Sequence, residues 1–406
     1  MSSKAVQPKD RDGFEIAIIC ALRSEADAVE ALFDEYWDED GDRYGKALGD
    51  TNVYTTGSIG RHNVVLAHMP GMGKGNAASV AARLQCSFRR IKLALVVGIC
   101  GGVPTGVDGE EILLGDVIIS TGIVQYDFGR QLPDRFIRKD TLEDIPGRPN
   151  TEIRAFLSKL SGFRGRKHLN DNTFGFFQEL CKEADFQKAQ YPGAVEDKLY
   201  NRTYRHKHQG ILACTICAKC DRKEDEVCKI ALESSCSELK CSEDNLIQRR
   251  RLQRINDTGN TAKDQKPCIH FGLIASGDTV MKSGEVRDEI AAKEKVIGFE
   301  MEGAGVWDEF PCVVIKGVCD YADSHKNKRW QSYAAAVAAA CMKAFLKEWV
   351  PTMSPLSDTV GQGMYLFYIG RFVRLRVEIF IFISGALQSG PTDIIILRLS
   401  LVMCYF

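Results

Sequence analysis

Two acidic residues in the last third of the chain have the spacing and surroundings needed for chemistry on a sugar. Glu302 lies in the run FEMEG at residues 299–303, and Asp320 follows eighteen residues later in the run VCDYAD. A carboxylate held among apolar neighbours can accept hydrogen bonds from two adjacent sugar hydroxyls, and a second acid can protonate a leaving group. The pair therefore predicts cleavage of a glycosidic bond, provided that the fold brings the two side chains together.

Short apolar runs and glycine-rich turns predict the elements that would position these acids. Apolar, β-branched runs typical of buried strands occupy residues 14–20, 93–97, 114–120, 270–278 and 311–317. Helical spacing follows the first run, and an alanine-rich helix is expected at 330–349. This order predicts an α/β fold with a central, mixed and twisted sheet flanked by helices.

The chain is expected to form one large domain with additions. Residues 1–13 are predicted to be a flexible N-terminus, and residues 14–350 a single domain. Within that domain, about 165–267 is charged and Cys-rich with little periodicity, so we predict a long irregular insertion there. Residues 351–406 are apolar but interrupted by arginines, and they contain no clean run of about 20 apolar residues. We therefore predict a tail outside the core and no membrane span.

Composition limits the classes of partner and compartment. Lys and Arg number 53 against 54 Asp and Glu, so a net charge of -1 offers no global attraction to nucleic acid. The first residues lack the apolar core of a signal peptide, and fifteen cysteines in an enzyme-like chain are typical of reduced intracellular thiols. We expect a protein of the cytoplasm, or of the nucleus, that binds a small molecule.

The two acidic motifs resemble those of the nucleoside phosphorylase and nucleosidase superfamily. The resemblance covers about residues 14–164 and 268–350, with the motifs in the family's order. It implies a single phosphorylase/hydrolase-type domain that needs no cofactor and assembles as a homo-oligomer. It also implies that Glu302 binds the ribose hydroxyls and that Asp320 protonates the purine at N7.

Further roles follow from the same resemblance. Met301 is expected beneath the ribose, and Phe299 against the base, which needs an apolar or π surface. Ser276 and Asp278, in the run SGD, are expected on the base side of the site, where they would hold the backbone or Asp320 in place.

The sequence leaves the nucleophile open between water and phosphate. In the run IAIICALRSE, Glu25 matches the nucleosidase residue that activates water, whereas Arg23 lies close to a phosphate-binding arginine of the phosphorylases. A carboxylate suits water and repels a phosphate dianion. In the glycine turn that begins at Gly98, Ile99 occupies the position where the family usually has a Ser or Thr hydroxyl. These features favour hydrolysis, with Gly73 in the family's glycine loop near the nucleophile and ribose.

A basic run within the predicted insertion suggests a site for a 5′ phosphate. Arg202 precedes the run YRHKH, which contains Arg205 and Lys207. The resemblance narrows here to phosphorylase-like domains of fungal immune-receptor-type proteins, some of which hydrolyse the glycosidic bond of ATP. The alternative is that these three side chains form a solvated basic loop.

The cysteines of the insertion do not form a standard zinc pattern. Cys214, Cys217 and Cys220 are three residues apart, but the later cysteines are scattered rather than paired. Structural zinc sites usually show two well-formed ligand pairs, so we predict no metal.

The resulting hypothesis is an enzyme that cleaves the N-glycosidic bond of a purine nucleoside or nucleotide with water and releases the free base. One alternative is a phosphate-dependent purine nucleoside phosphorylase. Another, of a different class, is a sensor module that binds a nucleoside without turnover.

Overall fold

The computed structural model describes residues 5–39, 41, 43–210, 214–220, 222–257 and 266–351. The predicted tail lies outside the described residues, apart from Pro351. Within these ranges no helix is both long and apolar enough to cross a membrane.

The described part of the chain contains both strands and helices. The strands are β1 (Ile16–Cys20), β2 (Glu35–Tyr36), β3 (Val53–Ile59), β4 (His62–His68), β5 (Leu93–Gly102), β6 (Val117–Gln125), β7 (Gly129–Gln131), β8 (Phe136–Arg138), β9 (Ile269–Ser276), β10 (Val296–Glu300) and β11 (Cys312–Asp320). The helices are α1 (Arg23–Glu30), α2 (Lys74–Ser87), α3 (Thr151–Ser161), α4 (Phe163–Leu180), α5 (Lys229–Glu233), α6 (Arg250–Asp257), α7 (Gly284–Glu294), α8 (Gly303–Val306) and α9 (Gln331–Glu348).

One mixed sheet organises the described part of the chain, in the strand order β10-β9-β6-β11-β5-β1-β4-β3-β2. Strands β4, β1, β5 and β11 are parallel to one another, whereas β3 is antiparallel to β4 and β6 is antiparallel to β11. The end of the long strand β5 also pairs with β10, at Gly101 and Gly102. Because β10 is also the edge strand next to β9, this second pairing closes β10, β9, β6, β11 and β5 into a ring of strands. The predicted mixed α/β sheet is confirmed.

Helices cover the sheet and supply its core. The alanine-rich α9 packs against β5, β11, α1 and α4, and nearly all of its side chains are buried. The helix lies close to β11, where glycine is needed. A Cβ added at Gly317 of β11 would be only 2.1 Å from the carbonyl oxygen of Ala334 in α9. The rings of Phe156, Phe345 and Trp349 pack at the far end of this helix.

The segment predicted as an irregular insertion begins with a regular helix. Helix α4 spans Phe163–Leu180, and Phe177 packs edge-on against Tyr333 of α9. Helix α4 therefore runs without a break across the start predicted for the insertion, at about residue 165. Beyond it the described part of the insertion is mostly turns, short 3-10 segments and the short helices α5 and α6. The irregular part of the insertion thus follows a helix that belongs to the core.

The N-terminal residues that the structure describes lie against the β3–β4 hairpin. The backbone N–H of Ala5 donates to the carbonyl of Gly60, and the Asn63 side chain donates to the carbonyl of Val6. The tight turn of that hairpin is at Gly60, where φ is +61°.

Candidate active site

The carboxyl ends of three adjacent parallel strands form the floor of the site. Strands β1, β5 and β11 are neighbours, and Lys316, Gly317 and Val318 of β11 lie opposite Gly98, Ile99 and Cys100 of β5. In open α/β sheets, ligands bind beyond the carboxyl ends of the strands. The residues that follow β1 and β10 reach the same place, as the contacts below show.

Glu302 is buried at the point where β10 gives way to the short helix α8. Its Oε2 atom accepts a hydrogen bond from the Lys316 ammonium at 2.9 Å. Its Oε1 atom accepts a longer one, of 3.4 Å, from the backbone N–H of Gly73. One carboxylate oxygen is therefore held tightly, and the other faces the glycine loop through a weak contact.

Lys316 is a central residue that the sequence analysis missed. Its side chain is 1% exposed, and its ammonium also lies 3.9 Å from Glu300. Burial alone would lower the pKa of Lys316, but the negative charges of Glu302, Glu25 and Glu300 raise it overall. Lys316 therefore stays charged and neutralises part of an acidic cluster. A lysine inside an otherwise apolar strand was the signal in the sequence.

Glu300 supports the backbone around Glu302. Its carboxylate accepts hydrogen bonds from the backbone N–H groups of Glu302 at 3.0 Å and Gly303 at 2.8 Å. Burial raises the pKa of Glu300, and the ammonium of Lys316 acts in the opposite direction. Glu300 therefore shapes the turn that presents Glu302.

Glu25 is anchored by backbone donors at the end of β1. Its carboxylate accepts hydrogen bonds from the N–H groups of Ile99 at 2.8 Å, Leu22 at 2.8 Å and Ala21 at 3.0 Å. It lies so close to Gly98 that a Cβ there would be 2.1 Å from the Oε1 atom. Burial raises the pKa of Glu25, with Lys316 opposing the shift. Glu25 therefore lies directly against the glycine turn of β5.

Asp320 ends strand β11 beside the same glycine turn. Its Oδ1 atom accepts a hydrogen bond from the N–H of Ala322 at 2.8 Å and lies 3.1 Å from the Lys326 ammonium. A Cβ on Gly101 would approach that oxygen to 2.9 Å. Glycine at this position therefore leaves room for the carboxylate.

An apolar wall adjoins Asp320. Phe299 packs edge-on against Tyr126, with ring centroids 5.7 Å apart, and belongs to a buried cluster that includes Ala322 and Met281. Met301 is half-buried between Glu300 and Glu302. This wall is suited to the face of an aromatic base.

Ser276 and Asp278 support the backbone around the site. The Ser276 hydroxyl accepts a hydrogen bond from the N–H of Ala304 at 3.0 Å, which secures α8. Asp278 accepts one from the N–H of Lys74 at 2.8 Å, and a Cβ on Gly73 would lie 3.2 Å from it. Asp278 thus braces the glycine loop.

Each of the four predicted phosphate-region cations has a partner other than these carboxylates. The Arg23 side chain is 91% exposed and lies 3.6 Å from Asp27. Arg202 pairs with Asp288 at 3.7 Å. The other two donate to backbone carbonyls of the insertion, Arg205 to those of Arg222 and Asp225 and Lys207 to that of Cys220.

Comparison with known proteins identifies the domain. Residues 15–162 match the model of the phosphorylase superfamily. Over these residues the chain is similar to the phosphorylase superfamily. The match contains Glu25 and the β5 glycine turn, and it confirms the resemblance drawn from the motifs.

Three curated relatives extend the comparison. The chain is 31% identical over 339 residues to a nucleotide-binding leucine-rich repeat (NLR)-like protein of Hyaloscypha variabilis, a match covering 82% of this chain and 29% of the relative. It is 33% identical over 94 residues to the aminodeoxyfutalosine nucleosidase of Helicobacter pylori, covering 22% and 40% of the two chains. It is 32% identical over 83 residues to the 5'-methylthioadenosine/S-adenosylhomocysteine nucleosidase of Mycobacterium tuberculosis, covering 20% and 30%. The chain thus spans less than half the length of each relative.

Among solved structures, the futalosine hydrolase of Helicobacter pylori aligns with a TM-score of 0.47 at 15% identity. The alignment covers 83% of this chain and 99% of that one.

Proposed function

We propose that this phosphorylase-superfamily domain hydrolyses the N-glycosidic bond of a purine nucleoside or nucleotide and releases the free base. The observation that carries the proposal is that Glu25 and Asp320 lie against one glycine turn of β5, while Lys316, opposite Gly98 of that turn, holds Glu302. Binding alone does not require a general acid and a general base on either side of a sugar site. The nucleosidases among the relatives add support.

In the proposed reaction, Glu25 accepts a proton from water as the water oxygen bonds to ribose C1′. The bond from C1′ to the base breaks, and its electron pair goes to the base. Asp320 supplies the proton that neutralises the base at N7, which requires N7 to take the place of the Lys326 ammonium. Nucleoside and water are thereby converted to ribose and free base.

Glu302 serves the sugar in this scheme. Its Oε2 atom is held by Lys316, so Oε1, with only its long contact to Gly73, is the oxygen placed to accept from ribose hydroxyls. Its negative charge also favours the oxocarbenium-like sugar that develops as the bond breaks. Phe299 and Met301 supply apolar surface for base and ribose.

Water is favoured over phosphate because of the local charges. The nucleophile region contains the buried carboxylate of Glu25, and Arg23 is exposed and paired with Asp27. A phosphate dianion would have to approach that carboxylate without the help of Arg23.

A substrate panel tests the proposal. Purified protein is incubated with adenosine, inosine, methylthioadenosine and ATP, each with and without phosphate, and base and sugar products are separated by chromatography. We expect free base and a sugar with an unphosphorylated C1 hydroxyl to form at equal rates with and without phosphate. Formation of ribose 1-phosphate only with phosphate would establish a phosphorylase instead. No base release from any substrate would leave the nucleoside-binding module as the better account.

The pH dependence of the reaction should reflect the raised pKa of the buried Glu25. Burial disfavours the charged carboxylate, so its pKa is raised above the ordinary value of 4.5. The base must be deprotonated to act, and activity should therefore fall as the pH drops through that raised pKa. We expect the acidic limb of kcat/KM to lie above pH 4.5 and Glu25→Gln to be inactive across the profile. A profile that stays flat down to pH 4.5 would exclude Glu25 as the base.

A further inference from the structure

Two groups of four metal-ligating side chains lie in and beside the predicted insertion. The first group, called site A, contains His206, Cys236, Cys241 and His325. The second, called site B, contains His208, Cys214, Cys217 and Cys228. In each group the four potential ligand atoms lie within 4.8 Å of one another.

The distances in site A match those of a tetrahedral zinc site. Zinc bonds of about 2.3 Å to sulfur and about 2.0–2.1 Å to nitrogen place tetrahedral neighbours about 3.3–3.8 Å apart. The two histidine Nδ1 atoms are 3.3 Å apart. The Cys236 sulfur lies 3.7 Å from Nδ1 of His206 and 3.5 Å from Nδ1 of His325, and the Cys241 sulfur 3.8 Å from Nδ1 of His206.

The outer hydrogen bonds of site A fix the histidine tautomers. Nε2 of His206 lies 2.8 Å from the carbonyl oxygen of Ser234, and Nε2 of His325 lies 3.0 Å from that of Tyr204. A carbonyl only accepts, so each Nε2 carries the proton and each Nδ1 presents a lone pair. Two lone pairs facing each other at 3.3 Å repel unless a cation lies between them. Carbonyl partners of this kind are typical of histidines that bind metal.

Site B has the same ligand chemistry with one more thiol. Nδ1 of His208 lies 3.5 Å from the sulfur of Cys217 and 3.5 Å from that of Cys228. Cys217 and Cys228 are buried. Cys214 and Cys217 have two residues between them, a spacing that is common among zinc ligands. Cys220, the third cysteine of that run, instead contacts the carbonyl of Asp225 at 3.6 Å.

The surrounding segment has little else to hold it together. The buried apolar cluster of this region consists of Cys217, Cys228, Ala231 and Leu239, with three partly buried neighbours among the described residues. A core this small cannot offset the conformational entropy of ordering an irregular chain. Metal cross-links supply that free energy in small domains.

We propose that sites A and B each bind a structural Zn²⁺ ion, through two cysteines and two histidines in A and three cysteines and one histidine in B. A set of four thiolate and imidazole ligands favours zinc, because calcium and magnesium prefer oxygen ligands. This proposal replaces the sequence prediction of no metal, which considered the cysteine spacing alone. That prediction did not consider three histidines as ligands. His206 and His208 lie in the basic run YRHKH, and His325 lies much later in the chain.

Site A also connects the insertion to the proposed active site. His325 follows Asp320 by five residues, and its neighbour Lys326 pairs with the Asp320 carboxylate. A metal bound there would fix the loop that leaves β11. Site B, in contrast, is built wholly from residues 208–228.

Metal content tests the proposal without reference to activity. The full chain is purified without chelators, and zinc is measured by mass spectrometry. We expect about two zinc ions per chain, falling to one in Cys236→Ser and to one in Cys214→Ser. Cys220→Ser is the matched control, since it removes a thiol from the same run but not from either site, and it should keep both ions.

A spectroscopic measurement on the wild-type chain keeps the test decisive if a variant fails to fold. Replacing zinc with Co²⁺ should produce the visible bands of tetrahedral cobalt and a thiolate charge-transfer band. Wild-type protein with no zinc, a disulfide among these cysteines, or equal zinc loss in Cys220→Ser would overturn the proposal. An additional expectation rests on the proposed function: Cys236→Ser should reduce base release more than Cys214→Ser does.

Discussion

Asp320→Asn is expected to release base about 10²–10⁴-fold more slowly than the wild-type chain, the usual contribution of a positioned general acid. Asparagine keeps the size of the side chain and can still hydrogen-bond, but it has no acidic proton to give to purine N7. The rate of base release from the best substrate of the panel, under saturating conditions, measures the effect.

The design of this comparison separates catalysis from folding and binding. Asp320→Asn should unfold at the same temperature as the wild type within a few degrees and should still be stabilised by the nucleoside. Asp134→Asn is the matched control, because Asp134 is 66% exposed and pairs only with its neighbour Arg135 on the surface. If Asp320→Asn kept the wild-type rate while the wild type was active, Asp320 would not be the acid.

Lys316→Met is expected to lower the free energy of unfolding by about 3–5 kcal/mol, as is typical when one partner of a buried ion pair is removed. Methionine fits the space of the lysine stem, so the loss is one of charge. Without the ammonium, Glu302, Glu300 and Glu25 would face one another in a buried cluster. Chemical denaturation measures the change.

Two further variants show whether charge is the cause. Lys159→Met removes a lysine that is 61% exposed and pairs with Glu348, and it should change stability by no more than about 1 kcal/mol. Adding Glu302→Gln to Lys316→Met should recover part of the lost stability, because one uncompensated carboxylate is removed. An unchanged denaturation midpoint in Lys316→Met would contradict the buried pairing.

The proposed role of Lys316 also links stability to the sugar site. In the structure the lysine holds one oxygen of Glu302 and leaves the other towards the glycine loop. Under the proposed function, ribose binding by Glu302 gives this charged residue a role inside an apolar strand. Replacing the pair with apolar residues would stabilise the sheet at the expense of the site.

Sequence alone determined the features that depend on local pattern. The strands at 14–20 and 93–97 could be predicted because continuous β-branched runs fit a sheet covered on both faces. The final helix was predicted at 330–349 and lies at Gln331–Glu348, since its alanine-rich sequence favours a helix that packs closely.

Only the tertiary structure decided which distant side chains meet. Lys316 and Glu302 are fourteen residues apart and come into contact in a sheet where β10 and β11 both pair with β5. His325 approaches His206 across 119 residues, and no periodicity encodes that contact. Local preferences follow from backbone sterics and burial pattern, whereas the ion pairs and the proposed metal ligands arise from long-range packing. The acidic pair was visible in the sequence, and the cations and thiols around it required the fold.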